Sequence, residues 1–376
     1  MRLFFSWFLS SNRAITTAFA TCLLSVLSVY DSQAQINLLA SGEIEPKDIR
    51  PEFLQKWQYR PGPVRDLLLE GAQRRIRLVY LIPADKSVRT DYRSAVADAF
   101  VDLREFYRQQ LGNGYSFVLS SPAVEVFQTS HISSYYSANA SSQNAPQYIW
   151  FWENALADGF SLTGGGFNDP NNRWVFYIDA DVGCGQVIGG NAGVAVMAAN
   201  DMRGLTGEQN IPSCSGQQPD NSGHGRWVGG AGHELAHTFN VPHPPGCGSG
   251  PNYGCNGGAF AANSLMWVGY AFYPNTYFLP EDKQMLLDSG FFYNTISITG
   301  RVIRPDGRGV ASGQVVLLSQ GGAVSYSNTN SFGYYRFVNL TAGAAYTLQA
   351  QSKSFNFDPR HLTPLEDLTG IDIIAR

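Results

Sequence analysis

The chain has 376 residues, of which 44% are hydrophobic and 15% are charged, and its formal net charge is −4. This length suggests about two domains, and the apolar content is enough for buried cores but too low for a polytopic membrane protein. A mildly acidic chain gives no sign of a basic surface, so we expect neither nucleic acid nor an anionic membrane as a partner.

The first 34 residues have the features of a secretory signal peptide. Arg2 and Arg13 supply positive charge, an apolar run follows from Ala14 to Val29, and small residues flank Gln33. An uncleaved anchor is the alternative, but the apolar run is shorter than the roughly 20 residues that span a bilayer. We predict that 1–34 is removed and that the mature protein is secreted, either extracellular, periplasmic or at a cell surface, with no membrane attachment.

Residues 35–75 have weak periodicity and are interpreted as an arm, a linker or a propeptide. Beyond them the apolar pattern predicts an α+β arrangement, with a mixed sheet and an active-site helix. We predict strands at 76–83, 115–119, 122–128, 173–179 and 193–198, and helices at 90–111, 147–157, 226–239 and 280–289. Residues 203–226 are rich in Gly, Ser, Gln and Asn, which predicts a loop.

The composition changes near residue 295. Alternating runs at 296–303 and 334–338 and an apolar run at 315–318 are separated by turn residues, which predicts a small all-β sandwich. The strings Ile298–Val302 and Asn330–Phe337 resemble those of carboxypeptidase regulatory-like domains, which have a transthyretin-like fold. This resemblance implies a spacer or docking module. The predicted domains are therefore the arm at 35–75, a catalytic domain at 76–294 and a sandwich at 295–376.

Four cysteines follow the predicted signal peptide, namely Cys184, Cys214, Cys247 and Cys255. An even number in an exported protein predicts two disulfides. The last two bracket a Gly-rich loop and are the favoured local pair, which leaves the first two to pair with each other. Three connectivities are open. A second, cysteine-bound zinc is a further alternative, although the spacing matches no common zinc pattern.

The most informative stretch runs from His233 to His243 and reads His-Glu-Leu-Ala-His-Thr-Phe-Asn-Val-Pro-His. Residues four apart share one face of a helix, so His233 and His237 can bind one cation. Glu234 is placed to reach a metal-bound water without being a ligand. A catalytic zinc takes three protein ligands and a water, and His243 is the candidate for the third.

His243 cannot bind from the same helix face as the first two histidines. At ten residues beyond His233 it would point about 80° away and lie about 15 Å along the axis. The helix must therefore end and the chain must turn back. Asn240 tolerates the left-handed conformation that ends helices, and Pro242 prevents the helix from continuing.

These residues resemble the metzincin metallopeptidases, whose motif is H-E-x-x-H-x-x-G-x-x-H followed by a Met-turn. Asn240 stands where that family usually has Gly. The segment Asn263–Trp267 looks like the Met-turn, in which Met266 would pack beneath the zinc ligands. Val268 occupies the position where some members have Tyr, so no Tyr ligand is assigned. The resemblance implies one catalytic zinc, with Glu234 as the general base for peptide hydrolysis.

We therefore predict a secreted zinc-dependent endopeptidase, acting as a monomer on a protein or peptide substrate. Two alternatives stay open: an exported non-catalytic protein- or glycan-binding protein on a metzincin fold, and a zinc amidohydrolase acting on a non-peptide amide. Asp179 and Asp181 end a predicted strand and could bind calcium, but calcium requires more oxygen ligands than these two supply. His131 and His224 could line the cleft.

Overall fold

The computed structural model describes residues 44–60, 74–140, 144–220, 222–248, 254–256, 258–342, 344–364 and 367–376. The predicted signal peptide lies outside these residues, as do parts of the predicted arm. No helix within the described ranges is both long and apolar enough to cross a membrane.

A five-stranded sheet organises the N-terminal part of the chain. The strands there are β1 (Arg75–Ile82), β2 (Tyr115–Phe117), β3 (Leu119–Gln128), β4 (Asn172–Ile178), β5 (Gly189–Asn191) and β6 (Val194–Met197). All except β2 join one sheet in the order β3–β1–β4–β6–β5. The first four strands in this order are parallel, and β5 runs antiparallel to β6 at one edge.

Helices cover both faces of this sheet. The helices of this part of the chain are α1 (Pro51–Trp57), α2 (Thr90–Leu111), α3 (Trp150–Thr163), α4 (Ala199–Thr206), α5 (His224–His237), α6 (Gly258–Ala262) and α7 (Pro280–Asp288). Successive strand residues point to opposite faces. Leu78 and Tyr80 therefore pack with α2 and α5, whereas Val79 and Leu81 pack with α1 and α3. The N-terminal part thus has three layers.

The predicted arm contributes to one of these layers. Phe53 of α1 is buried against Trp152 and Phe167, and Arg50 makes a two-pronged ion pair with the buried Glu153. The described residues 44–60 therefore belong to the core on the α3 face of the sheet.

The predicted loop at 203–226 is wrong at both ends, because α4 extends to Thr206 and α5 begins at His224. Gly204 made helix α4 hard to predict from the sequence, since glycine is a poor helix former. Its role is packing: a Cβ atom at position 204 would overlap the Trp227 ring. Met202 and Leu205 are buried in the same core.

Helix α7 contains a carboxyl group whose burial gives a pH-dependent prediction. Asp282 Oδ2 accepts a hydrogen bond of 2.9 Å from the Leu279 N–H, and burial raises the pKa of Asp282 to about 6. Between its usual pKa and 6 the folded state holds more protons than the unfolded state, so this group lowers stability as pH rises. Asn at position 282 keeps an acceptor oxygen and removes the charge.

We therefore expect Asp282→Asn to be the more stable protein at pH 7, by an amount of order 1–2 kcal/mol, and to lose that advantage near pH 4. Thermal unfolding of the metal-free parent and variant between pH 4 and pH 7 measures the difference in their free energies of unfolding. The titration of other groups cancels in this difference, because both proteins contain them. A constant difference at all pH values would contradict the assigned pKa shift.

The C-terminal part contains two packed sheets. Its strands are β9 (Phe292–Ile303), β10 (Gln314–Ser319), β11 (Val324–Asn328), β12 (Tyr334–Thr341), β13 (Tyr346–Gln351), β14 (Arg360–Leu362) and β15 (Ile373–Ile374), and a small hairpin of β7 (Cys247–Gly248) and β8 (Gly254–Cys255) precedes them. The sheets have the orders β11–β10–β13–β14 and β12–β9–β15. Apolar residues of both sheets form one core, which confirms the predicted all-β region.

Strand β9 passes from the N-terminal part into the sandwich without a break. Phe292–Asn294 pairs with β2, whereas Thr295–Arg301 pairs with β12. Phe292 stacks on the buried Tyr107 with ring centroids 5.6 Å apart. The predicted boundary at 294/295 therefore falls inside one continuous strand, at the point where the strand changes partners.

We propose that the two parts fold separately, and a truncation tests this. A chain that ends at Ile296 keeps the residues that pair with β2 and the hydrogen bonds from Thr295 to the Gly114 carbonyl. We expect this truncated chain to fold and to bind zinc as the parent does, because the candidate ligands all precede residue 244. Circular dichroism and zinc analysis measure both properties. An unfolded product would show that the sandwich is needed by the N-terminal part.

Candidate metal centre

Glycines on helix α5 allow it to pack closely against its neighbours. A Cβ atom at Gly229 would overlap the Tyr270 carbonyl oxygen, and one at Gly232 would lie 2.6 Å from the Leu103 side chain. On the side facing the sheet, Gly190 of β5 lies against the helix backbone at Glu234, where a Cβ atom would also overlap. These close approaches fix the helix between the sheet and the segment Val268–Phe272.

The structure brings His233, His237 and His243 together, with their ligand nitrogens within 4.8 Å of one another. The Nε2 atom of His237 lies 3.0 Å from that of His233 and 3.2 Å from that of His243. The opposite ring nitrogens of the first two are fixed by the backbone. His233 Nδ1 lies 2.7 Å from the Leu265 carbonyl oxygen, and His237 Nδ1 lies 2.7 Å from that of Val241.

This donor set fits a metal ion. A carbonyl oxygen only accepts hydrogen bonds, so the Nδ1 atoms of His233 and His237 are assigned as protonated, which leaves the Nε2 lone pairs for a ligand. Zinc–nitrogen bonds of about 2.0–2.1 Å in tetrahedral geometry place ligand nitrogens about 3.3 Å apart, close to the separations observed. Lone pairs at such distances repel unless a cation lies between them. The cluster could therefore hold a metal ion.

The end of helix α5 explains how the third histidine reaches the first two. Asn240 has a φ of 62°, the left-handed conformation expected from the sequence. The Val241 N–H then bonds back to the Ala236 carbonyl oxygen at 3.4 Å. This turn directs the chain back toward the helix, so His243 faces His237 instead of continuing along the axis.

Glu234 is held by the edge strand of the sheet. Its side chain is 8% exposed, and its Oε2 atom accepts a hydrogen bond of 2.6 Å from the Gly190 N–H of β5. Sequence reasoning missed Gly190, because a backbone donor can belong to any residue type. The only signal was the Gly189–Gly190 pair, since two adjacent glycines often mark a close backbone approach.

The segment interpreted as a Met-turn lies beside the cluster. Leu265 supplies the carbonyl that holds His233, and the next residue, Met266, is fully buried in the same core. The Tyr270 ring packs edge-on against the His233 ring, with centroids 5.3 Å apart. Val268 and Tyr270 lie in one short 3-10 helix, Val268–Phe272, and Val268 is 5% exposed.

Both disulfides form in the pairing favoured by the sequence, Cys184 with Cys214 and Cys247 with Cys255. The second one closes the β7–β8 hairpin, which begins four residues after His243. Disulfides are typical of proteins in oxidising compartments.

The other candidate residues lie in contacts of their own. Asp179 accepts hydrogen bonds from Lys86 and Tyr80, and Asp181 pairs with Arg203, so the two carboxylates neutralise cations and do not face a shared site. Two histidines also lie elsewhere. His131 Nδ1 is 2.9 Å from Asp158, and His224 Nδ1 is 3.0 Å from the Leu205 carbonyl oxygen. Neither histidine belongs to the metal-binding group found in the described ranges.

Comparison with known proteins supports the assignment of the sandwich. Residues 297–364 match the model of the carboxypeptidase regulatory-like domain, which confirms the resemblance seen in the sequence. No curated protein matches the chain significantly. Among solved structures, phospholipase PlaB from Legionella pneumophila in complex with thio-NAD is 8% identical and covers 80% of this chain and 94% of its own, with a TM-score of 0.17. A likeness this low carries no inference about fold or function.

Proposed function

We propose that this chain is a secreted zinc-dependent endopeptidase of the metzincin type. The observation that carries the proposal is the convergence of three imidazoles on one point, beside a carboxylate that immediately follows the first of them. Hydrolysis of an amide by a metal-activated water needs a metal with an open coordination position and a nearby base. Three histidine ligands supply the metal site, and Glu234 supplies the base.

The metal site, Glu234 and Gly190 have separate roles in the proposed reaction. Zinc held by His233, His237 and His243 would lower the pKa of a coordinated water toward 7 and would polarise a carbonyl oxygen. The Glu234 carboxylate takes the proton of the attacking water and delivers it to the nitrogen of the leaving amine. The Gly190 N–H orients that carboxylate through Oε2, and we assign the proton transfer to Oε1.

The position of β5 indicates where a peptide would bind. This strand is an edge of the sheet and contacts Glu234 through Gly190. An extended peptide can add to a strand edge through backbone hydrogen bonds. We therefore propose that substrate lies extended beside β5, with its scissile bond next to Glu234.

The disulfides support the exported location that we propose. We propose that residues 1–34 are a signal peptide that is removed during export. The sandwich would then serve as a spacer or docking module outside the chemistry. We further propose that the mature protein acts as a monomer on proteins or peptides.

A mixed peptide library, with products mapped by mass spectrometry, tests the activity. We expect cleavage at internal peptide bonds by the zinc-loaded protein, loss of cleavage after treatment with a chelator, and recovery on adding zinc. The metal content of the same samples is measured in parallel. A protein that binds zinc but cleaves neither library nor unfolded protein would favour the non-catalytic binding function. Hydrolysis of small non-peptide amides alone would favour the amidohydrolase.

A further inference from the structure

The three candidate ligands are held in different ways. His233 and His237 lie on helix α5, where backbone hydrogen bonds fix their positions. His243 lies beyond the helix, between Pro242 and Pro244, in a segment without regular secondary structure. The prolines restrict the backbone there, but they do not determine how the imidazole is rotated.

Trp267 packs directly against this imidazole. The His243 and Trp267 rings are 5.1 Å apart between centroids and meet nearly at right angles, at 77°. Trp267 is 6% exposed, and its backbone N–H donates to the Ser264 carbonyl oxygen at 3.1 Å, so its backbone position is set by the turn that also carries Met266. A buried ring at this distance limits rotation of its neighbour.

Trp267 also belongs to a small separate core. Ala262 and Val268 are buried with Trp267, and the cysteines Cys247 and Cys255 pack against the same cluster. The disulfide between them closes the hairpin that begins four residues after His243. His243, the Trp267 ring and the disulfide thus form one connected set of contacts.

We propose that Trp267 is a positioning residue: its ring, supported by the Cys247–Cys255 disulfide, holds the His243 imidazole in the orientation that binds zinc. This inference rests on the zinc site proposed above. It assigns to the disulfide hairpin a role in metal retention, whereas the Cys184–Cys214 disulfide has none. Partners that orient a metal ligand typically change affinity by about 10–100-fold when they are removed.

Zinc release measures this role apart from catalysis. The full-length protein is loaded with zinc, and the rate of zinc transfer to a coloured chelator is followed. We expect Trp267→Leu, which keeps an apolar side chain but removes the ring, to release zinc about 10–100-fold faster than the parent. Trp267→Phe keeps an aromatic ring against His243 and should restore most of the retention.

A matched variant separates positioning from general loss of packing. Trp174 is 1% exposed and packs on the opposite face of the sheet, so Trp174→Leu should lower the melting temperature without changing zinc release from the folded protein. If Trp267→Leu releases zinc no faster than Trp174→Leu does, the inference is overturned. If Trp267→Phe fails to restore retention, an aromatic ring at that position is not what holds His243, and the inference is equally overturned.

The two disulfides provide a second comparison, which also applies if Trp267→Leu does not fold. We expect Cys247→Ser/Cys255→Ser to release zinc faster than the parent, and Cys184→Ser/Cys214→Ser to release it at the parental rate. Equal release from both double variants would overturn the role of the hairpin. A parent that binds no zinc would overturn the zinc site itself, whereas a zinc-binding parent with unaffected Trp267 variants overturns only the positioning role.

Discussion

Glu234→Gln should abolish peptide cleavage while leaving zinc bound and the fold intact. The two side chains have nearly the same shape, and Gln still offers one oxygen to the Gly190 N–H that binds Glu234 Oε2 in the parent. An amide cannot accept the proton of the attacking water at neutral pH. Loss of a general base costs about 10²–10⁴-fold in rate, and more where proton transfer accompanies attack by metal-activated water.

The comparison requires three measurements on the same preparation: cleavage rate, zinc content and melting temperature. The matched control is Glu125→Gln, which removes a carboxylate that pairs with Arg77 on the sheet and lies outside the histidine cluster. It should cleave peptides at the parental rate. If Glu234→Gln cleaves at a rate close to the parent, Glu234 is not the base and the mechanism is wrong. A variant that has also lost its zinc would show that Glu234 supports the metal site.

The extent to which the fold was predictable depends on how periodic each element is. Helix α2 was predicted at both ends, since its long apolar stripe repeats every three or four residues and Gly112 follows it with a φ of 72°. Helix α4 was missed because it has only eight residues, one of them Gly204. Strand β5 was missed for a similar reason: Gly-Gly-Asn has little strand propensity, and the strand exists because β6 and helix α5 hold it.

The candidate site was also predictable only in part. Helical periodicity places His233 and His237 on one face, and Asn240 and Pro242 supply a reason for the chain to turn before His243. Side chains with metal chemistry are therefore visible in the sequence. The groups that orient them are not, because the Leu265 and Val241 carbonyls and the Gly190 N–H are backbone atoms brought near by tertiary packing. Trp267 was visible only as part of the Met-turn string.

Removing the third imidazole is expected to have the second large effect. His243→Ala leaves two nitrogen ligands on helix α5, and two nitrogens do not complete the three-ligand set of a catalytic zinc. Since the loss of an orienting partner alone costs about 10–100-fold in metal affinity, loss of the ligand itself should cost at least about 100-fold. Peptide cleavage should disappear with the metal. The helix and the sheet should persist, because His243 lies outside every regular element.

The matched control is His361→Ala, which removes an exposed histidine of the sandwich whose Nδ1 contacts Thr347. Equilibrium dialysis against zinc buffers measures the affinity of each protein, and circular dichroism verifies folding. We expect one zinc per chain for the parent and for His361→Ala, and sub-stoichiometric zinc for His243→Ala at the same free concentration. Parental affinity in His243→Ala would mean that the ion is held by His233 and His237 with a different third group. The turn at Asn240 would then serve the fold and not the metal, and the resemblance to metzincins would end at the H-E-x-x-H segment.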